Sequence, residues 1–352
     1  MPIIKVSFYT FVSMNFIRKI LFPIVPIYFL VTWLRNKMYD LGIKKSVSYD
    51  FPVIAVGNLS VGGTGKSPMV EYLIRSLKDK VQLATLSRGY KRETKGFQVV
   101  NTSSKAIEVG DEPLQFKTKF NEVIVAVDAD RRNGIASLRS LNPQPEVIIL
   151  DDAYQHRKVK AGFYILLTTY NDLYCNDIVL PTGNLRESRK GANRANIVIV
   201  TKCPKDISSE EKIAIGKRLK LANNQTLFFS FIDYRSDIMN ADEVMHIESL
   251  KEKTFTLITG IANPKPLVDY YTSLGLKFDH IAFPDHHNFT DKELDDLKTK
   301  EFIITTEKDY VRLMSHLPKQ ILWYQPIQAQ FIENHEVFDK MIFSYIKKRD
   351  LN

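Results

Sequence analysis

Residues Pro52–Pro68 read PVIAVGNLSVGGTGKSP, and the fold follows from this stretch. A short apolar run, PVIAV (Pro52–Val56), enters a glycine-rich loop, and a helix-compatible segment from Met69 to Leu77 leaves it. Strand, glycine loop, Lys-Ser and helix in that order make a phosphate-binding loop, or P-loop. Gly62, Gly63 and Gly65, with Thr64 among them, let the backbone curl so that its N–H groups point inward. The helix that follows adds the positive end of its dipole. Lys66 is placed to contact β- and γ-phosphates, and Ser67 to ligate Mg²⁺. One departure stands out: the strict pattern has glycine where this chain has Ser60.

Outward from the loop, short apolar runs alternate with helical segments. VQLATLS (Val81–Ser87), VIVAV (Val123–Val127), VIIL (Val147–Leu150), FYILLT (Phe163–Thr168) and IVIV (Ile197–Val200) suit strands buried on both faces of a parallel sheet. This is the alternation of a doubly wound α/β domain. VIIL ends in Asp151-Asp152, which resembles a Walker B strand that delivers a carboxylate to Mg²⁺. Which of the two aspartates does so is left open by the pattern. LFFSFIDYRSDI (Leu227–Ile238) reads as an extended connection, and a second run of strands begins at TFTLITG (Thr254–Gly260) and continues through FIITT and ILWY. The expected division is an N-terminal membrane-associating segment at 1–45, a P-loop α/β domain at 46–225, and a smaller α/β domain at 226–352 that closes the active-site cleft.

Residues Ile20–Leu34 carry no charge. Fifteen helical residues reach about 22 Å, less than the ~30 Å of a hydrocarbon core, and Pro23 and Pro26 disturb a helix. Lys5, Arg18, Lys19, Arg35, Lys37, Lys44 and Lys45 flank the apolar sequence against one acid, Asp40. Together with Trp33 and Tyr28 they suit an interfacial anchor on a membrane surface rather than a full span. Met14 opens a basic-then-apolar stretch of its own and competes with Met1 as the start. The net charge of +9 attracts polyanions. No basic stripe interleaved with aromatics and no zinc pattern points to nucleic acid. Two cysteines, Cys175 and Cys203, make no disulfide framework and fit a reducing compartment.

Several segments taken in order resemble one family, the tetraacyldisaccharide 4'-kinases of lipid A biosynthesis. They are GNLSVGGTGKSP, SRGYKR (Ser87–Arg92), GDEP (Gly110–Pro113), DADRRNG (Asp128–Gly134), LDDAYQHR (Leu150–Arg157), PTGNLRES (Pro181–Ser188), TGIANP (Thr259–Pro264), FPDHHNF (Phe283–Phe289) and TTEKDYVRL (Thr305–Leu313). Ala153-Tyr154 stands where Gly-Phe is more usual, and Ser188 where proline is common. The resemblance implies transfer of the γ-phosphate of ATP to the 4'-hydroxyl of a tetraacylated glucosamine disaccharide 1-phosphate, at the cytoplasmic face of a bacterial inner membrane. It implies a base at Asp111, which the pattern places in a loop between strands, and an assisting histidine at His286, a better match than His287. From the residues themselves, His286 reads equally as a helix-entry histidine near Thr290. Glu187 is a second candidate Mg²⁺ ligand. Arg186 and Arg131 offer planar donor forks for phosphate oxygens. The competing reading is a P-loop GTPase or ATPase switch at the membrane. TKCP (Thr201–Pro204) partly resembles a guanine-reading loop but lacks its Asn and Asp.

Overall fold

The computed structural model describes Arg18 and residues 20–350. Lys5, Lys19 and Met14 fall outside the described residues. Strands β1 to β8 are Val53–Asn58, Leu83–Ser87, Gln98–Val99, Ile124–Val127, Val147–Asp151, Phe163–Thr169, Ile197–Thr201 and Thr226–Tyr234. Strands β9 to β14 are Asp237–Met239, Val244–His246, Thr254–Thr259, Lys277–Ala282, Ile303–Thr306 and Leu322–Gln325. Six helices matter below: α1 (Val25–Asp40), α2 (Lys66–Leu77), α3 (Asp111–Lys119), α4 (Arg131–Arg139), α5 (Asp291–Lys298) and α6 (Glu307–Leu313).

Chain contacts gather into two compact units, each discontinuous in sequence. The first holds residues up to Lys66, Val147–Phe231 and Phe331 onward. Its strands lie in the order β8-β7-β6-β1-β5, all parallel where they pair. β1, β5 and β7 are buried along their whole length. That is why they read in sequence as unbroken Val/Ile/Leu runs: with both faces covered there is no polar alternation. The segment from Leu227, expected as a connection, is a strand, β8, paired with β7 from Ile197↔Thr226 to Val200↔Phe229. Its inner Phe228, Phe229 and Ser230 are buried while flanking residues are half-exposed, so it lacks the apolar continuity of its neighbours.

The second unit holds Ser67–Glu146 and Ile232–Gln330. Within it β2 and β4 run parallel, with β3 antiparallel on β4. A separate sheet has the order β10-β9-β14-β13-β11-β12, with a parallel centre and an antiparallel edge hairpin. Its core gathers Leu257, Ile304, Trp323 and Tyr271, all buried.

At the N-terminus a 3-10 turn at Phe22–Ile24 leads into α1, with Pro26 in the first turn. There the missing N–H leaves no helical bond unmade. No helix among the described residues is long and apolar enough to cross a membrane. One side of α1 docks on its own unit: Tyr28 donates to Arg186 O (3.0 Å), Arg35 to Gln155 O (2.6 Å), and Arg157 pairs with Asp40 at 2.7 Å.

Candidate active site

In the first unit, β1 ends at Asn58, whose side-chain amide donates to Ser60 O at 2.6 Å. The loop then turns through Gly62 (φ 102°) and Gly65 (φ 82°), left-handed conformations that only glycine adopts without strain. Ser60 needs no such freedom. It bridges Leu185, with Val61 N donating to Asn184 O (2.8 Å) and Arg186 N to Leu59 O (2.7 Å). This extended pairing explains why a serine serves where the strict motif has glycine. Thr64 O accepts from the Thr201 hydroxyl at 2.8 Å, which pins the loop to the end of β7. The loop opens into α2, so an anion held there meets backbone N–H groups and a helix N-terminus.

Lys66 begins α2, and its Nζ lies 3.4 Å from Asn58 Oδ1 and 3.7 Å from Asp152 Oδ1. Ser67 follows it in the chain and is buried. Asp151 is the last residue of β5, buried, and in register with Val56 of β1. Asp152 takes a left-handed φ of 47° and accepts from Arg186 on both oxygens, at 3.0 and 3.1 Å. Glu187 is buried and its two oxygens are engaged by protein donors. Arg194 donates to both (3.0 and 2.7 Å), Asn36 to Oε2 (2.6 Å) and Gln155 to Oε1 (3.2 Å). Among the described residues no three His, Cys, Asp or Glu side chains converge as a metal ligand set. Arg194 and Asn36 went unnoticed in the sequence because neither stands in a recognisable motif.

In the second unit, Asp111 is the first residue of helix α3 rather than part of a loop. Gly110 turns the chain at φ 92°, the acids Asp111 and Glu112 face the positive helix end, and Pro113 is tolerated in the first turn. His286 lies in the turn after β12 at φ 56°. Its Nδ1 is 2.9 Å from Asp111 Oδ2, and Arg312 NH2 of α6 reaches the same oxygen at 2.5 Å. The two nitrogens are 3.0 Å apart. An ionised carboxylate can only accept and an arginine nitrogen can only donate, so the 2.9 Å contact requires Nδ1–H to donate to Asp111, and two donors converge on one acceptor oxygen. His286 therefore carries its proton on Nδ1. Burial pushes the Asp111 carboxyl up, but hydrogen bonds from His286 and Arg312 and their charge outweigh it and hold it down at about 2. His287 does something else: its Nε2 is 2.9 Å from Glu293, which completes the Thr290 cap of α5.

The family model described as tetraacyldisaccharide-1-P 4'-kinase matches residues 17–347. The chain belongs to this family. A tetraacyldisaccharide 4'-kinase of Flavobacterium johnsoniae is 54% identical, covering 95% of this chain and 99% of that one. Another from Flavobacterium psychrophilum is 52% identical, over 96% of this chain and all of that one. Among solved structures, LpxK from Aquifex aeolicus, crystallised in complex with ATP, has a TM-score of 0.76 at 30% identity and covers 94% of this chain and 99% of that one. The protein is thus a kinase of lipid A biosynthesis, a phosphotransferase to the 4'-hydroxyl of its disaccharide, and the switch reading has no support from these relatives.

Two more residues of the 4'-kinase motifs have defined partners. Arg131, at the start of α4, is buried and donates to Asp128 O at 2.9 Å. Tyr154, where phenylalanine is more usual, keeps its ring buried under the Arg194 guanidinium at 4.6 Å and donates its hydroxyl to Gly191 O at 2.8 Å. The extra hydroxyl is thereby satisfied.

Proposed function

We propose that this 4'-kinase binds ATP with Mg²⁺ at Gly62, Gly63, Thr64, Gly65, Lys66 and Ser67, and that Asp111 takes the proton of the acceptor hydroxyl. The observation that carries the reading is the loop with left-handed Gly62 and Gly65 opening into α2 at Lys66. Backbone amides and one ammonium are what a triphosphate needs. The ATP named with the Aquifex aeolicus relative supports the choice of nucleotide.

The donors at hand suit a hard cation. Ser67 offers a hydroxyl, and Asp151 and Asp152 offer carboxylates at the end of a strand in register with β1. When bound, Mg²⁺ neutralises phosphate charge. Glu187 would have to exchange one of its present donors to join it.

In the transfer, the bond between the γ-phosphorus and the β–γ bridging oxygen breaks as the 4'-oxygen bonds to phosphorus. The hydroxyl proton leaves for Asp111. A carboxyl held near 2 is a weak base, yet it is ionised at all neutral pH. In a loose transition state the hydroxyl becomes acidic as its bond to phosphorus forms, so a weak base late in the reaction suffices. Lys66, Arg131 and Arg186 supply cations for phosphate oxygens. The acceptor, a tetraacyl disaccharide 1-phosphate, is a lipid, and the proposed place of reaction is the cytoplasmic surface of the inner membrane; the exposed apolar side of α1 supports contact with a lipid surface.

The test is transfer from γ-labelled ATP with Mg²⁺ to a tetraacyl disaccharide 1-phosphate in detergent micelles. Labelled lipid is expected with wild type and lost in Lys66→Ala and Asp111→Asn, both still folded. Turnover kept by Asp111→Asn would remove the base from Asp111.

A further inference from the structure

The motif TTEKDYVRL has no part in the reading above, yet three of its side chains, Glu307, Lys308 and Arg312, pair with the helix that begins with Asp111. We infer that α6 is the positioning frame of the catalytic carboxylate, with Arg312 as its key positioning residue: it pins Oδ2 of Asp111 together with His286 and leaves Oδ1 to accept the sugar proton. This deepens the reading of Asp111 as base and rests on it.

The frame starts at a buried anchor. Asp309 is fully buried; its Oδ2 accepts from Gly260 N (2.7 Å) and the Thr306 hydroxyl (2.7 Å), and its Oδ1 accepts from Arg312 NH1 (2.8 Å). Arg312 thus bridges two carboxylates with the two arms of one planar fork, Asp309 behind and Asp111 in front. A fork held at its root orients what its other arm touches. Gly260 closes the loop: its carbonyl accepts from His286 N at 3.2 Å, so the residue that fixes Asp309 also holds the left-handed backbone of His286. Strain of that kind persists only where the surroundings over-determine it.

Two further pairs set the register of α3 against α6. Lys308 meets Glu112 at 2.6 Å, and Lys119 bridges Glu307 and Glu71 at 2.5 Å each. Both contacts to Asp111 fall on Oδ2; among the described residues none falls on Oδ1. One oxygen is anchored and the other is left for the acceptor.

The groups facing Asp111 are Arg312, Lys308 and Asp309 from α6, His286 and Asp285 from the turn after β12, and Glu112 on its own helix. Loss of Arg312 removes a cation and one of two anchors. The Asp111 carboxyl then rises, because burial already pushes it upward.

The experiment compares full-length wild type with Arg312→Met, with Arg312→Met/Asp309→Asn, and with Arg312→Lys. The double variant removes the buried arginine together with its counter-charge, so no lone charge stays inside. Expected for both methionine variants is a fall in kcat of about a hundred-fold, the scale of a misplaced reacting group, with KM for ATP and lipid little changed. The ratio of variant to wild-type kcat is expected to fall further as pH drops toward about 5, where a raised carboxyl begins to protonate. Arg312→Lys, with its charge but no fork, is expected to recover the acid side of the profile more than the rate. A ratio flat with pH, or an undiminished kcat in the folded double variant, would overturn the frame. Asp111→Asn, run alongside, separates the outcomes: if it is inactive while the double variant is not, only the frame fails, and if it stays active the base reading itself is lost.

Discussion

Gly57 shows how much one atom decides at the residue scale. A Cβ built there would lie 2.7 Å from Tyr154 Cβ, so the end of β1 and the turn after β5 pack backbone against side chain. Gly57→Ala is expected to destabilise by about 1–3 kcal/mol through overpacking, read as a lower urea midpoint at unchanged m-value. Ser60→Gly, at a position whose backbone is extended by its bridge to Leu185, should leave turnover close to wild type. A second residue-scale case is Glu307. It is buried against Glu71, with Gln115 donating to both and Lys119 between them. Burial first, and then the Glu71 charge, push its carboxyl well up. A carboxyl raised on folding gives up stability as pH climbs from its unfolded value through its folded one, because the unfolded chain ionises first. Glu307→Gln is therefore expected to gain in melting temperature over wild type as pH rises from about 5 to 8. A gap that shrinks over that range would contradict it.

Secondary elements carry a different kind of information. α1 has two sides. Tyr28 and Asn36 hold Arg186 O and Glu187, while Ile27, Leu30, Val31 and Leu34 stay 51–64% exposed. An apolar strip of that size, on a helix otherwise tied down by hydrogen bonds, is what the proposed membrane-associating segment would present to lipid. Leu30→Glu/Leu34→Glu is expected to cut flotation with anionic vesicles by about ten-fold and to leave the melting temperature near wild type. Unchanged flotation would place membrane binding elsewhere. α3 tells of a limit in reading elements from sequence. GDEP looked like a loop because glycine and proline both punctuate chains. Yet each sits where a helix start accepts it, glycine at the cap and proline in the first turn.

On the scale of the whole molecule, nucleotide binding and folding are linked by mass action. Mg-ATP at a hundred times its Kd is expected to stabilise by about 2.7 kcal/mol. Lys66→Ala should lose that thermal shift while its melting temperature without nucleotide stays close to wild type. A full shift in Lys66→Ala would remove the lysine from the triphosphate.

What the sequence determined by itself was local or strongly patterned. The strands of the first unit were legible because two-sided burial leaves unbroken Val/Ile/Leu runs, as in VIIL before Asp151. The glycine loop was legible because its chemistry fits within a dozen consecutive residues. β8 was not, since its half-exposed ends blur the run. Arg194 on Glu187, and Arg312 between Asp309 and Asp111, were decided only by tertiary structure. A hydrogen bond acts over about 3 Å, and the partner 201 residues away in the chain is brought that close only when the strands have taken their order.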